Sequence, residues 1–295
     1  MTTHRPAALA PFLALGSAAM LVAMLMAALS LVVARPAAGS SGSDVRPDPV
    51  QVPAWCEDLR LGSGDHCELR AISSTVRGNE AFVVSGMRNG SITVEGWTGS
   101  DVRITARVVA RQAGSARAAA DLVESVQVRA SAGRVEVDGP RGGVLSRASW
   151  SADLRIQVPL GTDLDLSTSN GPIRVTGVEG GVQARSSNGA VTLQDVRGSV
   201  RAETSNGAVT VVLATGPGAG DAVTLRTSNG PINLHLAETA NARLEARTSN
   251  GRITSDLPLE MQGRRQNEAT GVLGQGEGRI DLRTSNGAIR IHRNR

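Results

Sequence analysis

The chain has 295 residues, 31 basic and 27 acidic groups, and a net charge of +4. It contains no Tyr, two Phe and three Trp, and all 31 of its Lys-plus-Arg residues are Arg, so lysine catalysis is excluded and aromatic platforms for stacked bases nearly so. A hydrophobic content of 40% against 20% charged residues argues against a wholly disordered chain, and 34 glycines exceed the usual share of about 7%.

The first element is an apolar run from Ala7 to Ala34 that no charge interrupts. A spanning helix needs about 20 apolar residues, and a cleaved signal has an apolar region of only about 7–15. The pattern predicts a signal anchor and transmembrane helix over residues 1–34, with Arg5 on the cytoplasmic side. A long signal peptide cut near Ala34 or Ala38 is the alternative, and either places the remainder outside the cytoplasm. Residues 35–54, rich in Pro, Gly, Ala and Ser, read as a tether. No lipobox cysteine follows the apolar run.

Cys56 and Cys67 come next and are the only cysteines. In an oxidising compartment such a pair is expected to form a disulfide. A metal site with His66 as third ligand is the rival, but the spacing is not that of a metal-binding pair and no second His or Cys is near.

Residues 55–159 read as an irregular β region that caps the fold and supplies its first coils. Within it, Met87 to Val94 is a degenerate repeat, Asp101 to Arg111 alternates as a strand, and Ser115 to Glu124 reads as a short amphipathic helix with Ser115 as N-cap. From residue 160 to 295 the sequence repeats Ser-Asn-Gly, with the asparagines at Asn170, Asn188, Asn206, Asn229, Asn250 and Asn286. Their spacings are 18, 18, 23, 21 and 36. The last interval predicts a coil without the signature between Ile253 and Gly278, and Gln262 to Gly278 reads as a polar loop. Apolar residues alternate on both sides of each motif, as in Val182 and Ala184 before Asn188 and Val191 and Leu193 after it. Asn-Gly between strands is a tight-turn signal, since both residues accept positive φ.

Two architectures fit: a meander of hairpins, or a flattened β-solenoid of about 18–21 residues per coil. Recurrence of the same residues at the same place favours the solenoid, in which identical side chains stack about 4.8 Å apart into Asn and Thr ladders. The expected fold is therefore mainly β, a parallel β-helix-like solenoid with one short helix, preceded by a transmembrane helix.

No catalytic grouping stands out. His66, His235 and His292 fit no Ser-His-Asp or metal pattern, and His235 is expected on the surface. Asp163-Leu164-Asp165 lacks the glycine and terminal Glu of a calcium loop and reads as a strand with outward Asp. Gly274, Gly276 and Gly278 form a loop with no following helix to bind phosphate. In the position before each inward Thr or Ser, the column runs Ser167, Arg185, Glu203, Arg226, Arg247, Arg283. Stacked coils would align Arg185, Arg226, Arg247 and Arg283 into a broken basic stripe for an acidic ligand; a solvated face with Glu203 and Asp281 as partners is the plainer reading.

The Trp55-Cys56 and Cys67-Glu68-Leu69-Arg70 start, Val94-Glu95-Gly96-Trp97, the Ala-rich helix, Ile156-Gln157-Val158-Pro159 and the serial Ser-Asn-Gly units together resemble a bacterial "putative adhesin" domain family of unknown function. The resemblance spans residues 55–293 and implies a β-solenoid-like envelope protein without known catalysis. It brings no established site residues and no cofactor.

The leading expectation is a non-enzymatic protein anchored through its N-terminal helix, presenting an extended surface to an acidic polysaccharide or an envelope protein. An envelope-stress sensing module acting with a membrane partner is the alternative, and a carbohydrate-active β-helix enzyme a third reading. Nucleic acid is disfavoured by location and by the lack of a dense basic cluster. Oligomeric state is left open.

Overall fold

Runs of five to eleven residues that alternate apolar and polar can bury one face only by stacking. In this chain they do so in a computed structural model that describes residues 54–74, 81–140, 148–262 and 266–294. The signal-anchor segment 1–34 and all of the tether but Ala54 lie outside the described residues. Among the described residues no helix is long and apolar enough to cross a membrane.

The elements begin with a one-turn helix α1 (Ala54–Glu57), then β1 (His66–Ser74), β2 (Phe82–Asn89), β3 (Ile92–Trp97), β4 (Val102–Arg111) and α2 (Ala116–Ser125). There follow β5 (Gln127–Ser131), β6 (Arg134–Asp138), β7 (Ser149–Pro159), β8 (Leu164–Asn170), β9 (Ile173–Thr176), β10 (Val182–Ser186) and β11 (Val191–Val196). The rest are β12 (Val200–Thr204), β13 (Val209–Leu213), β14 (Ala222–Thr227), β15 (Ile232–Leu236), β16 (Ala242–Thr248) and β17 (Ile253–Ser255), then β18 (Glu260–Gln262), β19 (Glu268–Leu273), β20 (Gly278–Thr284) and β21 (Ile289–Arg293).

Two sheets result. The first has the order β1-β4-β7-β3-β9-β11-β13-β15-β21-β17, and the second β18-β19-β16-β20-β14-β12-β10-β8-β2-β6-β5. The two strands flanking each Ser-Asn-Gly lie in different sheets, so the motif is the corner of a coil and not a hairpin. Successive coils pair in parallel and in register: Val182 lies between Leu164 and Val200, and Val191 between Ile173 and Val209. The mainly β solenoid is thus present, and the hairpin meander is excluded.

The coils do not stack in chain order. Strands β20 and β21, the last in the chain, sit between β14/β15 and β16/β17 in both sheets. At the other end the coil β2/β3 lies between β6/β7 and β8/β9. This corrects the expectation of a coil without its signature between Ile253 and Gly278. That stretch instead folds β18 and β19 as an antiparallel hairpin on the outer edge of β16, and the chain then steps back one rung. The predicted loop Gln262 to Gly278 therefore contains the strand Glu268–Leu273.

The core is thin and aliphatic. Leu166, Ala184, Ala202, Leu225, Leu282 and Ala246 form one buried column and Ile173, Val191, Val209, Ile232, Ile289 and Ile253 another. Antiparallel strands β4 and β1 extend one end. There α2 buries Ala119 and Val123, its N-cap Ser115 accepting from Ala118 N–H at 3.2 Å. Arg70 donates to the terminal carbonyls of Val123 and Val126, groups a helix end leaves unsatisfied.

Candidate functional site

The Ser-Asn-Gly corner is built from three columns. Outermost, each asparagine amide donates to the next rung: Asn170 to Asn89 at 3.0 Å, then Asn188 to Asn170, Asn206 to Asn188, Asn229 to Asn206, Asn286 to Asn229 and Asn250 to Asn286, each at 2.8 Å. The ladder follows spatial order, with Asn286 ahead of Asn250. It also takes in Asn89, whose place the degenerate repeat Met87 to Val94 had signalled.

Inside this ladder, the hydroxyls of Thr168, Ser186, Thr204, Thr227, Thr284 and Thr248 donate to the glycine carbonyls of the neighbouring rung at 2.8–3.4 Å. Buried hydroxyls are thereby satisfied. The glycines form the third column, and the reason for them differs from the sequence expectation. Neither they nor the ladder asparagines of these six motifs have φ in the left-handed region. A Cβ on Gly171, Gly189, Gly207, Gly230, Gly287 or Gly251 would instead lie 1.8–2.2 Å from the carbonyl oxygen of the glycine one rung away. Close approach of backbone to backbone, not turn conformation, requires glycine here.

The arginine column lies beside this corner, exposed on the second sheet. Its spatial order is Arg185, Glu203, Arg226, Arg283, Arg247. Arg185 stands apart, 3.4 Å from Asp165 and 3.6 Å from Glu203, which Arg201 also reaches at 2.6 Å. The inserted last coil brings Arg226, Arg283 and Arg247 onto three consecutive rungs. Arg283 is paired bidentately with Asp281 at 2.8 and 2.9 Å, and Arg247 meets Glu245 at 3.1 Å. The position two residues before Arg226 is Thr224, in register with Asp281, so no acid stands there. Among the described residues the Arg226 guanidinium has no hydrogen-bond or ion-pair partner. A shallow groove of about 520 Å³ runs along the three arginines, lined also by Ser228, Ser285, Asn267 and Glu268. Glu268 reaches this site through the pairing of β19 with β16, which the sequence pattern did not signal, whereas Glu245 stands two residues before Arg247 in the same strand.

Cys56 and Cys67 are joined, their Cα atoms 6.0 Å apart, which replaces the metal reading with His66. Asp163 accepts from Gly181 N–H at 2.7 Å. His235 stands on the outward face of its strand, as its parity with Ile232 and Leu234 predicts, and is partly covered there: its ring lies 4.9 Å from that of His292, which contacts Asp256 at 3.1 Å. Burial, then the neighbouring His292, push the His235 pKa below the ordinary imidazole value, against a weaker pull from Asp256.

Fold and corner together define a two-sheeted parallel β-solenoid held by asparagine and threonine ladders. The chain belongs to the Toastrack DUF4097 family, whose sequence profile matches residues 89–292. No curated protein matches it. Among solved structures, it is similar to a "putative cell adhesion protein" from Clostridium sporogenes at 12% identity and TM-score 0.43, covering 77% of this chain and all of the other. A "putative adhesin" from Bacteroides fragilis matches at 12% identity and TM-score 0.35, over 77% of this chain and 97% of its own. A "putative lipid binding protein" from Parabacteroides distasonis matches at 9% identity and TM-score 0.25, over 78% and 97%.

Proposed function

We propose that the chain is a non-enzymatic, extracytoplasmic binding or scaffolding module, adhesin-like in role, held at the membrane by residues 1–34 and spaced from it by residues 35–54. Its ligand is an acidic polymer of the cell envelope, bound along the groove of Arg226, Arg283 and Arg247. The carrying observation is the exposed Arg226 guanidinium, which among the described residues makes no ion pair even with its in-register neighbour Glu203, beside two further arginines at the solenoid's spacing of about 4.8 Å. A polymer with regularly spaced carboxylates or phosphates meets such a column with repeated charge-assisted hydrogen bonds. The Cys56–Cys67 disulfide supports an oxidising compartment. The apolar run 7–34 supports anchoring.

The test is co-sedimentation of the purified chain with an anionic cell-wall polymer at low and high salt, beside a variant carrying Arg226→Ala, Arg283→Ala and Arg247→Ala. Binding that falls steeply with salt, and at least about tenfold in the variant, is expected. Equal binding by the variant, or indifference to salt, sinks the reading and turns the search to a membrane-protein partner.

A further inference from the structure

A second site is built on the outer face of the first sheet, whereas the arginine groove lies on the second. Helix α1 is a single turn and cannot hold itself in place. The Cys56–Cys67 disulfide ties it to β1, and Arg107 donates to the Trp55 carbonyl at 2.8 Å. The Trp55 side chain is thereby laid over β4 and β7 and walls a pocket of about 480 Å³. That volume lies in the range of small-molecule sites.

Two arginines line it, Arg103 of β4 and Arg155 of β7, while Arg107 of β4 lies 4.7 Å from the centre of the Trp55 ring and does not line the pocket. Arg107 is paired with Asp153 at 2.8 Å. Burial disfavours the Asp153 charge, but hydrogen bonds from Ser91 and Arg107 outweigh it and hold the carboxyl below its usual range. Arg155 lies with its guanidinium carbon 4.0 Å from the centre of the Trp55 ring, and Arg103 4.0 Å from that of Trp97. Stacking fixes a guanidinium and leaves its N–H edge free. Among the described residues neither guanidinium has a hydrogen-bond or ion-pair partner, and the two are diagonal neighbours across β4 and β7, where Arg103 faces Gln157 and Thr105 faces Arg155. The rest of the polar lining, the Glu95 carboxylate, the Gln157 amide and the Thr93 and Thr105 hydroxyls, is also without a side-chain partner.

We infer that this pocket binds one acidic sugar unit, its carboxylate held by Arg155 and Arg103 and its ring hydroxyls by Glu95 and Gln157. Two pre-oriented forks select an anion. Glu95 selects which kind: a carboxylate repels bare phosphate but accepts from hydroxyls, and a uronic acid carries its charge and its hydroxyls on opposite parts of one ring.

The test is titration of the purified, oxidised full chain with D-glucuronate, D-glucose and inorganic phosphate, read by calorimetry and by Trp fluorescence. Saturable millimolar binding of glucuronate is expected, with glucose and phosphate at least about tenfold weaker. Arg155→Gln removes binding, and Glu95→Gln weakens glucuronate while strengthening phosphate. Reduction of the disulfide lowers affinity, since it frees the Trp55 wall. A uronate-terminated oligosaccharide that binds as well as the free sugar identifies polymer ends as the source; binding of the free sugar alone identifies a soluble one. The inference is overturned if glucuronate does not saturate, if glucose matches it, if only the oligosaccharide binds, or if Arg155→Gln changes nothing. The triple variant of Arg226, Arg283 and Arg247 leaves glucuronate binding intact, so this site and the groove fail independently.

Discussion

Gly207→Ala tests the reason for glycine at the coil corner. The new Cβ would lie 2.2 Å from the Gly189 carbonyl oxygen, 2.6 Å from its carbon and 3.0 Å from the Ala190 nitrogen. All three are backbone atoms of the neighbouring rung, so no side chain can swing away. Reaching ordinary contact requires the rungs to part by about 1 Å at the corner. That displacement stretches the Asn206–Asn188 and Thr204–Gly189 hydrogen bonds, now 2.8 Å each, past their useful range. Two bonds at about 1 kcal/mol each, plus about 1–3 kcal/mol of overpacking strain, oppose a gain of about 0.4–1 kcal/mol from the stiffer unfolded chain. The net loss is about 3 kcal/mol, or about 6–12 °C in Tm for a domain of this size. The control is Gly161→Ala, where a Cβ meets nothing within 4 Å and φ is outside the left-handed range; it is expected to be neutral or slightly stabilising. Urea and thermal unfolding followed by circular dichroism supply both values. A Gly207→Ala protein within about 0.5 kcal/mol of wild type refutes the close-approach argument.

Asn206 both donates and accepts within the ladder, whereas Asn250 only donates, so Asn206→Ala should cost about twice as much as Asn250→Ala, roughly 2 against 1 kcal/mol by urea unfolding. Removing residues 278–295 takes away the buried Ile280, Leu282, Ile289 and Ile291, at about 1.5–3 kcal/mol each, a sum comparable to the whole stability of a domain; loss of the cooperative transition is expected, and a chain that still melts sharply would show that β14 and β16 can close on each other. The depressed His235 pKa means that the unfolded chain binds the proton more readily. Stability is therefore full above the ordinary imidazole pKa of about 6.5 and falls as pH drops below it. His235→Gln should flatten the Tm profile between about pH 7.5 and 5, and an unchanged slope would count against it. Reduction of Cys56–Cys67 should raise hydrogen exchange around Trp55 while leaving β10 to β13 protected, because only α1 depends on the bond.

Much of the architecture is local in origin, and for that reason the amino-acid sequence determines it. Alternation at period two makes strands of Val182–Ser186 and Val191–Val196, and recurrence of Ser-Asn-Gly places identical side chains where they can form ladders. Ser115 and the Ala-rich stretch that follows it set the helix. The pair of cysteines allows only one bridge. The order of the rungs is another matter. Near-identical repeats offer each coil several equivalent neighbours, so no local pattern distinguishes Arg226 beside Arg247 from Arg226 beside Arg283. Tertiary stacking decides that, through the β18–β19 hairpin that turns the chain back and lets the last coil enter between two earlier ones. The same holds for the Trp55 pocket, whose arginines lie 52 residues apart in sequence and meet only because β4 and β7 pair antiparallel. What repeats along the chain can be read from it; which repeats become neighbours depends on packing that no single segment contains.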